Sequence, residues 1–396
     1  MHMKKVLVAP LNWGLGHATR SIPVINELLK QGAEVFIASD GNALQLLKLE
    51  FPRLTFFELP SYNITYGSGN TMIFEMFKIF KNSKNAMAAE HEVLQKLIAE
   101  YHFDLIISDN RYGIWNSKIH SVFITHQINI QLPAYLKWLQ PLLLNSNLKQ
   151  LSNFNECWIP DNETDANLSG ALSHNCKLPD NTYYIGLLSR FFSFQPSVFS
   201  WLLKKSNLET ASEPENERLQ TAHCKLQTPL PTASCPLPFN DYQLLILLSG
   251  PEPQRTIFEK LISRQVQEVK YKTLIVQGLT QQQEVKQLNE KVTMISYLTA
   301  SDMYTYITSA EIVISRSGYS TIMDLAATNC KALLVPTPGQ TEQEYLANKL
   351  NNEGVFYAVK QADFKIADVE KAKTFKGLKS ENNVKIMEQR IKLLLA

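Results

Sequence analysis

Short apolar runs and helical segments alternate along most of this chain. A first block opens with apolar residues at 4–9, continues with helical spacing over 18–31 and returns to an apolar run over 34–39. A second block restarts at 242–248 and alternates in the same way to about residue 352. Parallel strands need long crossover connections, usually helices, so this alternation predicts parallel sheets covered by helices on both faces. The chain is therefore predicted to be α/β, with two doubly wound domains.

Residues 193–240 break the alternation. They are rich in Ser, Thr, Pro, Glu and Gln, and such a segment cannot bury much apolar surface. We predict a disordered linker or insertion there, between a domain at 1–192 and a domain at 241–378. The segment 379–396 is predicted as a helix that packs back on the first domain.

The sequence also predicts helical segments at 281–290 and 133–151. The alternation assigns a helix to 281–290, between two apolar runs. Residues 133–151 are predicted as one helical stretch that Pro141 bends.

Charge and hydropathy exclude several classes of protein. Lys and Arg number 39 against 37 Asp and Glu, so binding of nucleic acid through bulk charge is not expected. No apolar run reaches about 18 residues, and the apolar run at the N-terminus is too short for a secretory signal. Five cysteines without a CxxC pair favour free thiols and a cytoplasmic location.

A glycine-containing loop follows the first predicted strand. Residues 12–20 read Asn-Trp-Gly-Leu-Gly-His-Ala-Thr-Arg and include Gly14, Gly16 and His17. Glycines there let backbone N–H groups approach a ligand at the helix N-terminus, at the sheet edge where doubly wound domains bind ligands. A histidine that caps the helix beside a structural turn is the alternative.

Polar loops follow strands of the second block as well. Ser249 and Gly250 open a helix whose N-terminus suits a phosphate, although an ordinary strand-to-helix turn would look the same. Asp324 lies one helical turn beyond Thr321, so its carboxylate could bind the two hydroxyls of a ribose. With the polar loop at 336–344, these residues predict a nucleotide-sugar pocket, against the alternative of two solvated loops.

In this order, the motifs resemble those of the MurG-type glycosyltransferases, family 28 of the GT-B superfamily. The second block matches through LSGPEPQR, the run at 295–326 and VPTPGQTEQEY, and the first block through VLVAPLNWGLGHATRSIPVI and IGLLSRF. The resemblance implies a GT-B fold, with two Rossmann-like domains facing across a cleft. It makes 1–192 the acceptor-binding domain and 241–378 the nucleotide-sugar-binding domain. It implies inverting, metal-independent transfer from a UDP-sugar to an acceptor hydroxyl, lipid-linked or on a cell-envelope glycan.

The resemblance also assigns roles to individual residues. The donor-binding set comprises Arg190, Ser249, Gly250, Tyr319, Ser320 and Thr321 near the phosphates, Leu298 at uracil, Asp324 at the ribose, and Gln343 and Glu344 at the sugar. The acceptor side comprises Gly14, Gly16, Arg20 and His126. Asp324 replaces a family Glu, Glu344 replaces a family Gln, and the first loop holds fewer glycines. These departures argue against recognition of a lipid pyrophosphate.

A histidine is the predicted catalytic base. The unperturbed pKa of histidine, near 6.5, suits a group that takes a proton from a hydroxyl. We assign the base to His17 and expect Asp109 to orient its ring, as a carboxylate does in a triad. His126 is the rival base. The chain has no DxD motif, so neither a metal nor another cofactor is expected.

Residues 72–81 leave the acceptor open. They are rich in large apolar side chains with Lys78 and Lys81 among them, which suits a core helix with a solvated lysine edge. It also suits a segment on the inner face of a membrane, with a lipid-linked acceptor. Two further functions remain open from the sequence, namely a UDP-sugar 2-epimerase of the same fold and a non-catalytic nucleotide-sugar-binding protein.

Overall fold

Two seven-stranded sheets hold the strands that the computed structural model describes. The described residues are 3–62, 72–164, 166–192, 237, 242–379 and 384–396, with the side chains of 72–83 and 134 left out. The predicted linker at 193–240, Leu237 apart, and the side chains of the apolar segment at 72–81 therefore lie outside them.

The first sheet is parallel throughout. Its order is β3-β2-β1-β4-β5-β6-β7. The strands are β1 Lys5–Pro10, β2 Glu34–Ser39, β3 Thr55–Glu58, β4 Leu105–Asp109, β5 His120–Ile124, β6 Glu156–Ile159 and β7 Thr182–Tyr184. The chain winds away in opposite directions from β1 and β4, and Pro10 pairs with Asp109 where these two strands end. A crevice forms at such a switch point, outside the carboxyl ends of the strands.

The helices of this domain cover both faces of the sheet. They are α1 Gly16–Lys30, α2 Gly41–Glu50, α3 Met72–Tyr101 and α4 Gln140–Leu151. The predicted helical stretch at 133–151 is helical over 134–151, but it consists of two parts, a 3₁₀ helix at Ala134–Leu139 followed by α4. Pro141 lies in the first turn of α4, where a missing N–H costs no helical hydrogen bond.

The second sheet repeats this plan with one antiparallel edge. Its order is β10-β11-β9-β8-β12-β13-β14. The strands are β8 Leu244–Leu247, β9 Thr273–Val276, β10 Val285–Gln287, β11 Val292–Ile295, β12 Ile312–Ser315, β13 Ala332–Leu334 and β14 Tyr357–Ala358. The helices are α5 Gln254–Gln265, α6 Ala300–Ser309, α7 Tyr319–Thr328, α8 Thr341–Asn352, α9 Asp368–Ala372 and α10 Lys385–Leu395. The predicted α/β class, with two doubly wound domains, is confirmed.

The predicted helix at 281–290 is wrong. Val285–Gln287 forms the edge strand β10, paired antiparallel with β11 so that Val285 lies opposite Ile295. Its Gln, Glu and Lys residues have good helix propensity, but pairing with an exposed sheet edge outweighs so weak a preference.

The two domains share one hydrophobic core. A single buried cluster contains Val24 and Leu28 of α1 together with Ile322 and Leu325 of α7. No helix of the described residues is both long and apolar enough to span a membrane.

The last helix, α10, lies on the first domain. Arg390 of α10 forms an ion pair with the buried carboxylate of Glu156, and its guanidinium lies 3.8 Å from the ring centre of Tyr183. Glu388 accepts a hydrogen bond from Lys30 of α1. The chain thus returns to the first domain after completing the second.

Arg390→Met is expected to lower the free energy of unfolding by about 1–3 kcal/mol, because it leaves the Glu156 carboxylate buried without its cation. Urea denaturation measures the loss. Lys392→Met removes an exposed cation of the same helix and should change stability little. Equal losses in the two variants would contradict the proposed anchoring of α10.

Candidate functional site

A cleft lies between the carboxyl edges of the two sheets. Gly14 and Gly250 meet across it, since a Cβ built on Gly14 would lie 3.7 Å from the Cα of Gly250. Gly14 has φ of +72°, a conformation that L side chains rarely adopt. The Ser320 hydroxyl donates a 2.7 Å hydrogen bond to the carbonyl of Gly16. The backbone conformation therefore favours glycine at position 14, and a Cβ on Gly16 would crowd the Ser320 hydroxyl at 3.1 Å.

Most of the residues predicted from the sequence line this cleft. They are Gly14, Gly16, His17, Arg20, His126, Arg190, Ser249, Gly250, Leu298, Tyr319, Ser320, Thr321, Asp324 and Gln343. Asp109 is fully buried and lies behind His17. Glu344 is not among the lining residues. It is exposed, and its Oε1 accepts a 3.1 Å hydrogen bond from the N–H of Gly339.

His17 is held by Asp109. The ring stands at the start of α1, and its Nδ1 lies 2.9 Å from Oδ1 of Asp109, the last residue of β4. An ionised carboxylate can only accept a hydrogen bond, so Nδ1 carries the ring proton and Nε2 is the unprotonated nitrogen. Burial lowers the pKa of His17, and the neighbouring Arg20 lowers it further. The ring is therefore neutral at pH 7.

Asp109 is ionised because Arg20 compensates its charge. The Arg20 Nε donates to Oδ2 at 2.6 Å, and a second guanidinium nitrogen bonds Oδ1. Burial alone would raise the pKa of Asp109, but Arg20 and His17 together lower it to about 2. This bidentate pair keeps a full negative charge next to the histidine at a buried position.

His126 uses both of its ring nitrogens. Its Nδ1 lies 2.8 Å from Nη1 of Arg20, and a guanidinium can only donate, so Nδ1 accepts. The ring proton is then on Nε2, which donates to Oε1 of Glu342 at 3.0 Å. The ring also stacks on Tyr319, with centroids 4.1 Å apart and planes 3° from parallel.

Glu342 is a cleft residue that the sequence did not single out. It lies in the first turn of α8, and it lines the cleft where Glu344 does not. Burial would raise the pKa of its carboxyl, but His126, His17 and Arg20 together outweigh burial and lower it. The polar run at 336–344 indicated a site, but the start of the helix decides which of its carboxylates faces the cleft.

Asp324 and Arg190 bind each other. The Nε of Arg190 donates to Oδ2 of Asp324 at 3.0 Å, and the Ser189 hydroxyl donates to Oδ1 at 2.7 Å. Burial raises the pKa of Asp324, and Arg190 only partly offsets this. The side chains predicted to bind the ribose and the phosphates thus lie side by side, and their ion pair joins the two domains.

The remaining donor-side residues surround the start of α5. Gly250 has φ of +115° and precedes α5 by four residues, and Ser249, Gly250 and Pro251 line the cleft just before this helix begins. The Oε1 of Gln343 accepts a 2.9 Å hydrogen bond from the N–H of Thr337. Among the residues with described side chains, no group of three or more His, Cys, Asp or Glu is placed to hold a metal ion.

The Asp109 ion pair should make stability depend on pH. Its pKa is lower in the folded than in the unfolded protein, so its contribution is present above about pH 4 and is lost as the pH falls to about 2. The depressed pKa corresponds to about 2–3 kcal/mol of unfolding free energy. The difference in stability between wild type and Asp109→Asn should shrink by that amount between pH 5 and pH 2, measured by urea denaturation. Removal of the exposed carboxylate in Asp180→Asn is the control, and a difference that stays constant with pH would contradict the prediction.

Comparisons with known proteins agree with this arrangement. Residues 250–391 match the glycosyltransferase family 28 C-terminal domain. An uncharacterized glycosyltransferase of Methanosarcina mazei is 22% identical over 365 residues, which cover 88% of this chain and 84% of the relative. The solved structure of the glycosyltransferase of kitacinnamycin aligns with a TM-score of 0.57 at 12% identity, over 100% of this chain and 95% of that one.

A further relative has a more specific name but a shorter match. The UDP-N-acetylglucosamine--N-acetylmuramyl-(pentapeptide) pyrophosphoryl-undecaprenol N-acetylglucosamine transferase of Methylobacterium radiotolerans is 43% identical over 65 residues. That match covers 16% of this chain and only 18% of the relative. Fold, family model and relatives agree on the class of enzyme: the chain is a glycosyltransferase with the GT-B fold, and its residues 250–391 match the C-terminal domain of glycosyltransferase family 28.

Proposed function

We propose that this enzyme transfers a sugar from a UDP-sugar to an acceptor hydroxyl with inversion at the anomeric carbon and without a metal ion. The proposal depends above all on one observation, the neutral His17 in the cleft with Asp109 on its Nδ1. In this reaction Nε2 takes the proton of the acceptor hydroxyl. The acceptor oxygen bonds to the anomeric carbon as the bond to the UDP oxygen breaks.

His17 is a better base than His126 in this geometry. The Nε2 of His17 has no hydrogen-bond partner among the described residues. Both nitrogens of His126 are engaged, by Arg20 and by Glu342. A proton added to Nδ1 of His126 would face the guanidinium of Arg20, which opposes the base function.

The second domain supplies what a departing diphosphate needs. Ser249 and Gly250 lie before the N-terminus of α5, where backbone N–H groups and the helix dipole stabilise an anion. Arg190 binds Asp324 through Nε, and its two Nη groups have no hydrogen-bond partner among the described residues, so they can bind phosphate oxygens. The name of the relative from Methylobacterium radiotolerans supports uracil as the base. A cytoplasmic location, with contact to the inner face of a membrane and a lipid-linked acceptor, belongs to the same proposal.

His17→Ala is expected to reduce turnover about 10²- to 10⁴-fold, the usual effect of losing a general base. The assay is UDP release from UDP-N-acetylglucosamine, UDP-glucose or UDP-galactose, with candidate glycans or water as acceptor. His126→Asn, which keeps a group able to hydrogen-bond, should cost much less. Wild-type activity should fall on the acid side as the pH drops through a pKa below 6.5, because the protonated ring cannot accept a proton. Near-normal turnover in His17→Ala would remove this residue from the mechanism.

UDP should raise the melting temperature of the wild-type enzyme, because a ligand that binds only the folded state stabilises it. A thermal-shift series with UDP, GDP and TDP at equal concentrations tests the choice of base. Stabilisation by GDP or TDP without stabilisation by UDP would contradict uracil recognition. Isomerisation of the UDP-sugar without UDP release would instead indicate an epimerase.

A further inference from the structure

Arg316 is a fully buried cation with no anionic partner among the described residues. It follows β12 and is 1% exposed. The other two arginines among the largest fully buried side chains have carboxylate partners, Arg20 with Asp109 and Arg111 with Asp40 and Glu90. No carboxylate of the described residues forms an ion pair with Arg316, and burial lowers its pKa. Buried charges are normally paired, so this unpaired one calls for an explanation.

The guanidinium is bound by neutral groups alone. Its Nη1 donates to the carbonyls of Val335 and Pro336 at 3.1 and 3.3 Å. Its Nη2 donates to the carbonyl of Gln254 at 3.1 Å and to Oε1 of Gln361 at 2.6 Å. The Nε is buried with no partner among the described residues. These bonds solvate the charge but do not neutralise it.

Arg316 joins the two segments that flank Gly250. Gln254 is the first residue of α5, which begins just after the Ser249–Gly250 loop. Pro336 precedes Thr337, whose Oγ1 would lie 4.0 Å from a Cβ on Gly250. The guanidinium therefore lies behind the loop that carries the proposed phosphate site, on the side away from the cleft.

We infer that Arg316 is the buried counter-charge of the donor's diphosphate. It does not line the cleft and acts through the space between, as a positioning residue rather than a catalytic one. The inference depends on the proposed function, because it needs an anionic donor at Gly250. In a dry interior, the attraction between a fixed cation and a bound anion is screened far less than at the surface, and it grows with the charge of the ligand. The charge of Arg316 should not contribute to the affinity for uridine, should contribute to the affinity for UMP, and should contribute most to the affinity for UDP.

The test compares binding of UDP, UMP and uridine by calorimetry in four proteins. The first three are wild type, Arg316→Gln and Arg316→Lys. The fourth is Arg255→Met, the matched control, because Arg255 lies at the start of α5, beside Gln254, but is already neutralised by Glu252 and Glu259 at 2.7 and 2.5 Å. We expect Arg316→Gln to lose about tenfold to hundredfold in affinity for UDP and less than about threefold for uridine. Arg316→Lys keeps the charge and should keep most of the difference in affinity between UDP and uridine. Arg255→Met should keep this difference as well.

Different failures have different meanings. If wild type binds UDP no better than uridine, both the diphosphate site and the role of Arg316 are overturned. The inference is wrong if wild type prefers UDP but Arg316→Gln and Arg316→Lys lose the same amount of affinity for UDP. It is also wrong if the variants lose as much affinity for uridine as for UDP. In both cases Arg316 only holds the loops in place. If Arg316→Gln does not fold, Arg316→Lys decides alone. Loss of the difference in affinity between UDP and uridine in that variant, despite the retained charge, also overturns the inference.

Discussion

The first domain depends on a buried carboxylate where β1 and β4 end. Asp109 cannot be ionised there without Arg20, whose guanidinium binds both of its oxygens. Once ionised, it fixes the proton of His17 on Nδ1 and leaves Nε2 as the only basic nitrogen. Arg20 also occupies Nδ1 of His126, so one arginine determines the state of both histidines. The two histidines thus differ: Nε2 of His17 has no hydrogen-bond partner among the described residues, whereas both ring nitrogens of His126 are bonded.

The second domain reaches this network through Glu342 and Tyr319. Glu342 accepts the proton bond of His126, and the ring of Tyr319 stacks on the same imidazole. Asp324 and Arg190 form a second link across the cleft. The two domains are therefore joined by polar contacts at the cleft and by the apolar contacts of α1 and α7.

Much of this was predictable from the sequence, for physical reasons. Apolar runs as continuous as 244–247 occur in strands buried on both faces, and their alternation with helices fixed the fold class. His17 and Asp109 could be placed together because each ends or follows a strand of one parallel sheet, and carboxyl ends share an edge. The edge strand β10 could not be predicted, since pairing with β11 decides it rather than its own residues. Glu342 lines the cleft instead of the predicted Glu344. Which of the two does so depends on the residue at which α8 begins, and composition does not specify that residue.

The two domains treat buried charge in opposite ways, and this division matches a transfer reaction. In the first domain each fully buried arginine has its carboxylates, Arg20 with Asp109 and Arg111 with Asp40 and Glu90. A balanced site of this kind suits a neutral acceptor hydroxyl and a neutral base. In the second domain Arg316 has no carboxylate among the described residues, and the start of α5 adds a partial positive charge. An excess of positive charge there would favour the anionic leaving group of the proposed reaction. The uncompensated cation thus lies beside the proposed diphosphate site, and the compensated cations lie in the domain that is proposed to bind the acceptor.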